Sequence, residues 1–177
     1  ATLVDATQDP AAQPFVRAIR FADEGRFHIR KFILGLLEKA VQRNVAVYEE
    51  TAVRTVEERG GRSVVQTEKG TIATQYVVFA TGAPHQVFAD LQQYVTPTMT
   101  YVVNARFTGA APIADCTYWD TGHPYQYFRP YDDHTIMLGG ADARAGERQP
   151  IAPYEKLQSY LKARWHEPFE ITHQWSG

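Results

Sequence analysis

The spacing of hydrophobic residues predicts one long amphipathic helix in the first third of the chain. Between residues 28 and 43, apolar residues recur at three- and four-residue steps, and charged residues occupy the opposite side. We expect His28 to cap the start of this helix rather than act as a base, and Asn44 to end it in the left-handed conformation. A second helix, beginning near Pro153, would present an apolar side to a sheet.

Shorter patterns around the first helix predict strands. Residues 15–21 alternate like a strand, and residues 45–48, 52–57 and 63–67 predict a β-meander turned by glycines. Residues 76–80 form an unbroken apolar run, which is typical of a strand covered on both faces in the parallel layer of an α/β domain. The loop that follows, at Thr81 and Gly82, would lie at the sheet edge where such domains bind ligands.

The second half of the chain predicts an antiparallel sheet. Alternating segments separated by turns occur at residues 100–107, 116–120, 125–129, 134–138 and 170–175, and residues 83–94 predict a loop with a short helical turn. The helix from Pro153 would cover the apolar face of this sheet. We expect Gly139 and Gly140 to bend the sheet rather than bind phosphate, and Asp142 to lie in a turn.

Composition excludes some classes of partner. The chain has 177 residues, of which 44% are hydrophobic, a net charge of -2 and a pI near 6.3, so it can bury a sizeable core but offers no basic field for nucleic acid. No apolar run is long enough to span a bilayer. The single cysteine, Cys116, favours a reducing compartment, so we expect a cytoplasmic protein in which Cys116 is a buried structural thiol.

The chain ends suggest an excerpt of a longer protein. The sequence starts at Ala1 rather than at methionine, stops directly after a predicted strand, and contains no G-x-G-x-x-G phosphate-binding motif between a strand and a helix. We therefore expect it to be the central part of its parent.

One face of the strand predicted at residues 125–129 presents side chains that are suited to ligand binding. Alternation places Tyr125, Tyr127 and Arg129 on that face. A guanidinium makes paired, charge-assisted hydrogen bonds to a carboxylate, and tyrosines pack against an organic ligand and donate from their hydroxyls. The alternative is that Arg129 pairs on the sheet surface with one of three nearby carboxylates, those of Asp120, Asp132 and Asp133.

Two groups of motifs resemble one family. Residues 44–82, with "E-x-T-x-V", a glycine-turned hairpin and "A-T-G", resemble the middle of the flavin-dependent amine and amino-acid oxidoreductases, the DAO family of D-amino-acid oxidase and glycine oxidase. Residues 118–129, 138–142 and 173–177 resemble the substrate domain of its bacterial branch, which is often fused to a Rieske domain. Gly122 and His123 depart from the acidic residue common there, and no Rieske ligand pattern occurs.

The resemblance implies an α+β fold with two parts. Residues 1–25 and 85–177 would belong to the substrate domain, an antiparallel sheet with a covering helix. Residues 26–84 would be part of the Rossmann-like FAD-binding domain, with its helix, β-meander and terminal strand. In this family the position of Val53 binds adenine through its backbone, and the loop of Ala80, Thr81 and Gly82 runs close to the dinucleotide.

The resemblance also implies a substrate site and a reaction. Arg129 would bind the substrate carboxylate, with Tyr127, Tyr125 and Trp119 as walls. A hydride would pass from the carbon beside a neutral amine nitrogen to the flavin, and the imine would then hydrolyse, so no dedicated general base is needed. The expected partners are an amine or amino-acid substrate and the rest of the parent chain.

Two other classes stay open from the residues alone. The chain could be a small-molecule binding module without redox chemistry, or a structural interaction domain. Because the phosphate-binding glycines lie outside it, we expect this chain alone to bind FAD poorly and to have no turnover.

Overall fold

The alternating and helical patterns give ten strands and two α-helices in the computed structural model, which describes residues 1–12, 14–82, 93–147 and 151–177. In chain order the elements are β1 (Thr2–Asp5), a 3-10 helix (Pro10–Ala12), β2 (Arg17–Arg20), α1 (Ile29–Gln42), β3 (Val53–Arg59), β4 (Arg62–Thr67), β5 (Gly70–Thr74), β6 (Thr98–Phe107), β7 (Tyr118–Trp119), β8 (Tyr127–Asp132), β9 (Thr135–Arg144), α2 (Pro153–Arg164) and β10 (Phe169–Ser176). They form two units, residues 1–22 with 96–177, and residues 23–95. The assignment of these units to substrate and FAD domains stays a prediction.

An antiparallel five-stranded sheet dominates the first unit. Its strand order is β10-β6-β9-β8-β7, and α2 packs on one face of it. Leu157 and Leu161 stand one turn apart on α2, so they lie on the same side and meet Val103, Ile136 and Leu138, all fully buried. Complete burial of each such side chain contributes about 1.5–3 kcal/mol. The predicted antiparallel sheet with a covering helix is therefore confirmed.

A hairpin of β1 and β2 begins the same unit. β2 matches the strand predicted at residues 15–21, whereas β1 lies in an opening that the sequence did not predict as a strand. The short 3-10 helix between them places Ala11 in the core under α2. The burial of Ala11 is therefore one of the contacts that join this hairpin to the main sheet.

Both predicted ends of the first helix are confirmed in the second unit. His28 is the N-cap of α1, and its Nδ1 accepts a hydrogen bond from the backbone N–H of Lys31 at 3.4 Å. Asn44 has φ 61°, the left-handed conformation that ends a helix. None of the side chains of α1 is buried, so its apolar stripe is open to solvent.

The strands of the second unit differ from their prediction in two places. Residues 45–48 form no strand, and the three-stranded meander is instead β3-β4-β5, with β5 as the strand that the sequence analysis missed. Residues 76–80 are not a buried strand either, because Tyr76 and Val78 are 83% and 87% exposed. A covered parallel strand needs a neighbouring strand on each side, and no described strand pairs with this segment.

Strand β9 is longer than predicted. It runs through Gly139 and Gly140 to Arg144, so Asp142 lies in a strand and its prediction as a turn residue is wrong. The expected bend is present, because Gly140 has φ 139° and the pairing with β6 shifts register beside it. The helical turn predicted at residues 83–94 lies almost wholly outside the described residues.

Candidate functional site

The register of the five-stranded sheet aligns side chains into rows across its strands. Phe128 packs into the core beneath α2, so its neighbours Tyr127 and Arg129 project from the opposite face, here named the far face. One row of directly paired residues on the far face runs Trp119, Tyr127, Gly139, Val102, Trp175. The row beside it runs Arg129, Met137, Asn104, His173. An aromatic row and a polar row therefore lie side by side.

The predicted substrate residues meet on the far face. Trp119 is 58% exposed, is paired with Tyr127 across β7 and β8, and stacks on Phe21 with ring centroids 6.0 Å apart. Tyr125 precedes β8 instead of lying within it as predicted, because the strand begins at Tyr127. Its ring, 44% exposed, is still only 6.1 Å from that of Tyr127. The structure thus brings three aromatic rings together beside Arg129.

A glycine makes room for the central ring of this group. A Cβ atom at Gly139 would overlap Cζ, Oη and Cε2 of Tyr127, so the phenol ring lies directly on the backbone of β9. At Gly140 a Cβ atom would collide with the side chain of Gln126 and come within 2.7 Å of the carbonyl oxygen of Tyr125. Glycine at these two positions therefore allows the side chains of Tyr127 and Gln126 to lie against β9.

Arg129 is half-buried and has one weak hydrogen bond, from Nη1 to the carbonyl oxygen of Pro130 at 3.4 Å. Within the described ranges it forms no ion pair with Asp120, Asp132 or Asp133, so the predicted alternative of a surface ion pair is wrong. The guanidinium keeps the donor capacity that a carboxylate ligand would use.

Two of those carboxylates are already bonded to backbone N–H groups. Oδ1 of Asp120 accepts from Gly122 and from Gln126, each at 3.0 Å. Oδ1 of Asp132 accepts from the N–H of His134 at 2.9 Å, and this bond, followed by that of the Thr135 hydroxyl, holds the pKa of Asp132 below its ordinary value of 3.8. These two carboxylates are therefore engaged by hydrogen bonds within their own turns.

The sequence analysis missed Asn104. Only 6% of this residue is exposed, and its Oδ1 is a buried acceptor that has no hydrogen-bond partner in the described structure. It lies on the far face, because Val103 and Ala105 on either side of it belong to the core under α2. A single amide within the apolar strand at residues 101–107 was the sequence signal that could have identified it.

The predicted cofactor residues lie in the second unit. Val53 begins β3, which is an edge strand, so one side of its backbone is free of any partner strand among the described residues. Ala80, Thr81 and Gly82 follow β5 in a segment without regular structure. Gly82 has φ 73°, and apart from its chain neighbours no described residue lies within 4 Å of the place its Cβ would occupy. An open strand edge and an accessible glycine backbone fit the approach of a dinucleotide, although the phosphate-binding glycine motif is not in this sequence.

Cys116 and Tyr118 form a separate cluster on the core side of the sheet. Cys116 is exposed rather than buried as predicted, because its segment bends before β7 begins. The hydroxyl of Tyr118 donates to Oδ2 of Asp9 at 2.9 Å. Burial, followed by the hydrogen bonds to Cys116 and Asp9, raises the pKa of Tyr118 well above its ordinary value of 10.0. This cluster fastens the first hairpin to the sheet.

Other sites are weaker candidates. A groove of about 560 Å³ lies between α2 and β10, and the described residues that line it, such as Lys162 and His173, include none of the predicted site residues. Across the described ranges, no three His, Cys, Asp or Glu side chains are grouped so that they could hold a metal ion. Neither described helix combines the length and the apolar character needed to cross a membrane.

Comparison with known proteins identifies the family. The sequence profile described as "FAD dependent oxidoreductase" (DAO) matches residues 2–177, and the chain belongs to this family of flavoenzymes. It is 24% identical, over 90% of its own length, to a protein of Rhizobium meliloti (strain 1021) described as "Probable oxidoreductase OrdL". The chain spans 38% of the length of that relative.

Solved structures of flavoproteins share the fold. The halogenase PltM in complex with phloroglucinol and FAD matches with a TM-score of 0.57 at 11% identity, over 82% of this chain and 36% of that one. The flavin-dependent halogenase CmlS matches with a TM-score of 0.56 at 16% identity, over 93% of this chain and 33% of that one. At this identity the likeness is one of fold, and it carries no information about the reaction.

Proposed function

We propose that this chain is part of an FAD-dependent oxidoreductase that oxidises an amine or amino acid, and that the far face of the five-stranded sheet receives the substrate. The observation that carries the proposal is the half-buried guanidinium of Arg129, which has no carboxylate partner in the described structure and stands beside the rings of Tyr127 and Trp119. Burial of a cation is costly without an anion or acceptors nearby, so a partly buried guanidinium favours such a partner. A substrate carboxylate would supply that anion.

The aromatic row suits the rest of such a substrate. Tyr127 is fixed by its contact with Gly139 and paired with Trp119, so two rings form a wall with little freedom to lose on binding. Rings packed around a bound amine would disfavour its charged form and so lower its pKa toward the neutral form that gives up a hydride. The chain's own contribution is thus to orient the carboxylate with Arg129 and to keep the amine neutral.

FAD, when bound, would supply the two-electron acceptor. Val53 and the segment from Ala80 to Gly82 would contact its nucleotide end through backbone groups, as the family resemblance implies. The phosphate-binding glycines and the partner strands for residues 76–80 would come from other parts of the parent protein. Kinship with the Rieske-fused bacterial branch, a cytoplasmic location and the absence of nucleic-acid partners belong to the same proposal, supported by sequence motifs, the single cysteine and the net charge of -2.

Anaerobic reduction of the flavin tests this function. The full-length protein that carries this chain would be purified with FAD and mixed with single amino acids and amines, and bleaching of its visible absorbance would be recorded. We expect at least one amino acid to bleach the flavin. Arg129→Leu should weaken the binding of that amino acid about 10- to 100-fold, as loss of a charge-assisted pair does. The matched control is Arg144→Leu, an exposed arginine at the end of β9 in the same sheet.

Two results would contradict the proposal. The first is a flavin that no amine or amino acid reduces. The second is an equal loss of amino-acid binding in the Arg129 and Arg144 variants. Ligand binding without any bleaching would favour the alternative of a binding module without redox chemistry.

A further inference from the structure

The far face holds a second polar group that the family resemblance does not explain. Asn104 stands in the same row as Arg129, separated from it by Met137 on β9. In this row Asn104 is paired with Met137 on one side and with His173 on the other. Only 6% of the residue is exposed, and its Oδ1 has no hydrogen-bond partner among the described residues.

A buried acceptor without a partner destabilises a fold, and replacement by an apolar side chain of similar shape removes that penalty. The core on the opposite face of the sheet provides the comparison, because the neighbouring positions Val103 and Ala105 are apolar and fully buried. An amide kept at such a place points to a donor that arrives with a ligand.

We infer that Asn104 is a substrate-binding residue, whose Oδ1 accepts a hydrogen bond from an N–H donor of the same ligand that Arg129 holds by its carboxylate. This inference rests on the proposed function, since it takes the far face as the ligand site. It narrows the substrate class to molecules with both a carboxylate and an N–H donor, that is, to amino acids rather than simple amines.

The sheet brings the two residues within reach of one ligand. Arg129 and Asn104 are two strands apart, a separation of about 9.6 Å in an antiparallel sheet. Both side chains stand on the same face, so one small ligand can reach both.

Three small probes separate the two contacts. Alanine has both groups, propionate lacks the amine, and ethylamine lacks the carboxylate. Their binding to the full-length, FAD-loaded protein would be measured by titration calorimetry, a readout that does not depend on turnover. We expect Asn104→Leu to lower the affinity for alanine about tenfold and to leave the affinity for propionate unchanged. Arg129→Leu should lower the affinity for alanine and for propionate alike.

Thermal unfolding gives a second readout. Because Asn104→Leu removes a buried acceptor without a partner, we expect its melting temperature to equal or exceed that of the wild type while alanine binding falls. The matched control is Trp165→Phe, which removes another buried polar atom without a partner, the indole N–H, on the core side of the sheet. That variant should bind all three probes as the wild type does.

The outcomes decide the inference separately from the proposed function. If Asn104→Leu weakens propionate as much as alanine, leaves alanine binding unchanged, or lowers the melting temperature, Asn104 is a structural residue and the inference fails. It also fails if the wild type binds none of the three probes. If alanine binds through Asn104 but never bleaches the flavin, the inference stands and the proposed oxidation fails.

Discussion

The phenol ring of Tyr127 lies against the backbone of Gly139 on the neighbouring strand, where any side chain at position 139 would overlap it. The two residues are directly paired, and the same row continues to Trp119 on one side and to Val102 on the other. The aromatic part of the candidate site therefore depends on a residue that has no side chain.

The Gly139→Ala substitution tests this dependence. We expect it to displace the ring of Tyr127 and to destabilise the protein by about 1–3 kcal/mol, as overpacking does. Urea unfolding gives the change in free energy. Gly109→Ala is the control, because nothing lies within 4 Å of its Cβ position, and it should stay within about 0.5 kcal/mol of the wild type. Equal effects of the two variants would refute the contact.

The raised pKa of Tyr118 predicts that the folded protein loses stability in alkaline solution. Its pKa is raised in the folded protein above the ordinary 10.0, so the unfolded chain loses this proton first as the pH rises. The stabilising contribution is full below about pH 10 and declines as the pH climbs from there toward the raised value.

The Tyr118→Phe variant isolates that contribution. It should be about 1 kcal/mol less stable than the wild type at neutral pH, because the hydrogen bond to Asp9 is lost. Above about pH 10 the difference between the two proteins should shrink. Denaturant unfolding at a series of pH values checks this, and a difference that stays constant through the alkaline range would be evidence against it.

Substitution of Leu161 tests the packing of α2 on the sheet. Its side chain is fully buried against the strands, so Leu161→Ala should leave a cavity and cost about 2–5 kcal/mol of unfolding free energy. The neighbouring Lys162→Ala, at an exposed position, should change it by no more than about 0.5 kcal/mol. Similar losses in both variants would mean that α2 does not cover the core as described.

Asn44 tests the end of α1. Because its φ is 61°, Asn44→Gly should keep or slightly raise stability, whereas Asn44→Val should lower it by about 1–2 kcal/mol. Far-UV circular dichroism during thermal unfolding measures both. A valine variant as stable as the glycine variant would show that the residue does not need the left-handed conformation.

Local patterns were sufficient for much of this fold. The three- and four-residue spacing in α1, its caps at His28 and Asn44, and the alternating second half are properties of short segments, and the structure contains all of them. The grouping of Tyr127 and Arg129 on one face also followed from alternation alone.

What failed depended on partners distant in sequence. An unbroken apolar run is typical of a covered strand, but residues 76–80 find no strand neighbour within the described chain, and Val78 is exposed. The length of β9, the position of Asp142 within it and the contact of Gly139 with Tyr127 depend on the register between strands, which a local pattern does not fix. Asn104 had a local signal, a single amide in an apolar strand, but the row that it shares with Arg129 exists only once the strands are aligned.

Alternate residues at the start of strand β8 lie on opposite faces of the sheet. Phe128 lies between the rings of Tyr118 and Trp165 in the core, while Tyr127 and Arg129 on either side of it face away. Under the proposed function, a mutational library restricted to Tyr127 and Arg129 would change ligand preference and leave the core packing of Phe128 intact. A new specificity could evolve at this sheet in the same way, because core residues and far-face residues alternate along the strand.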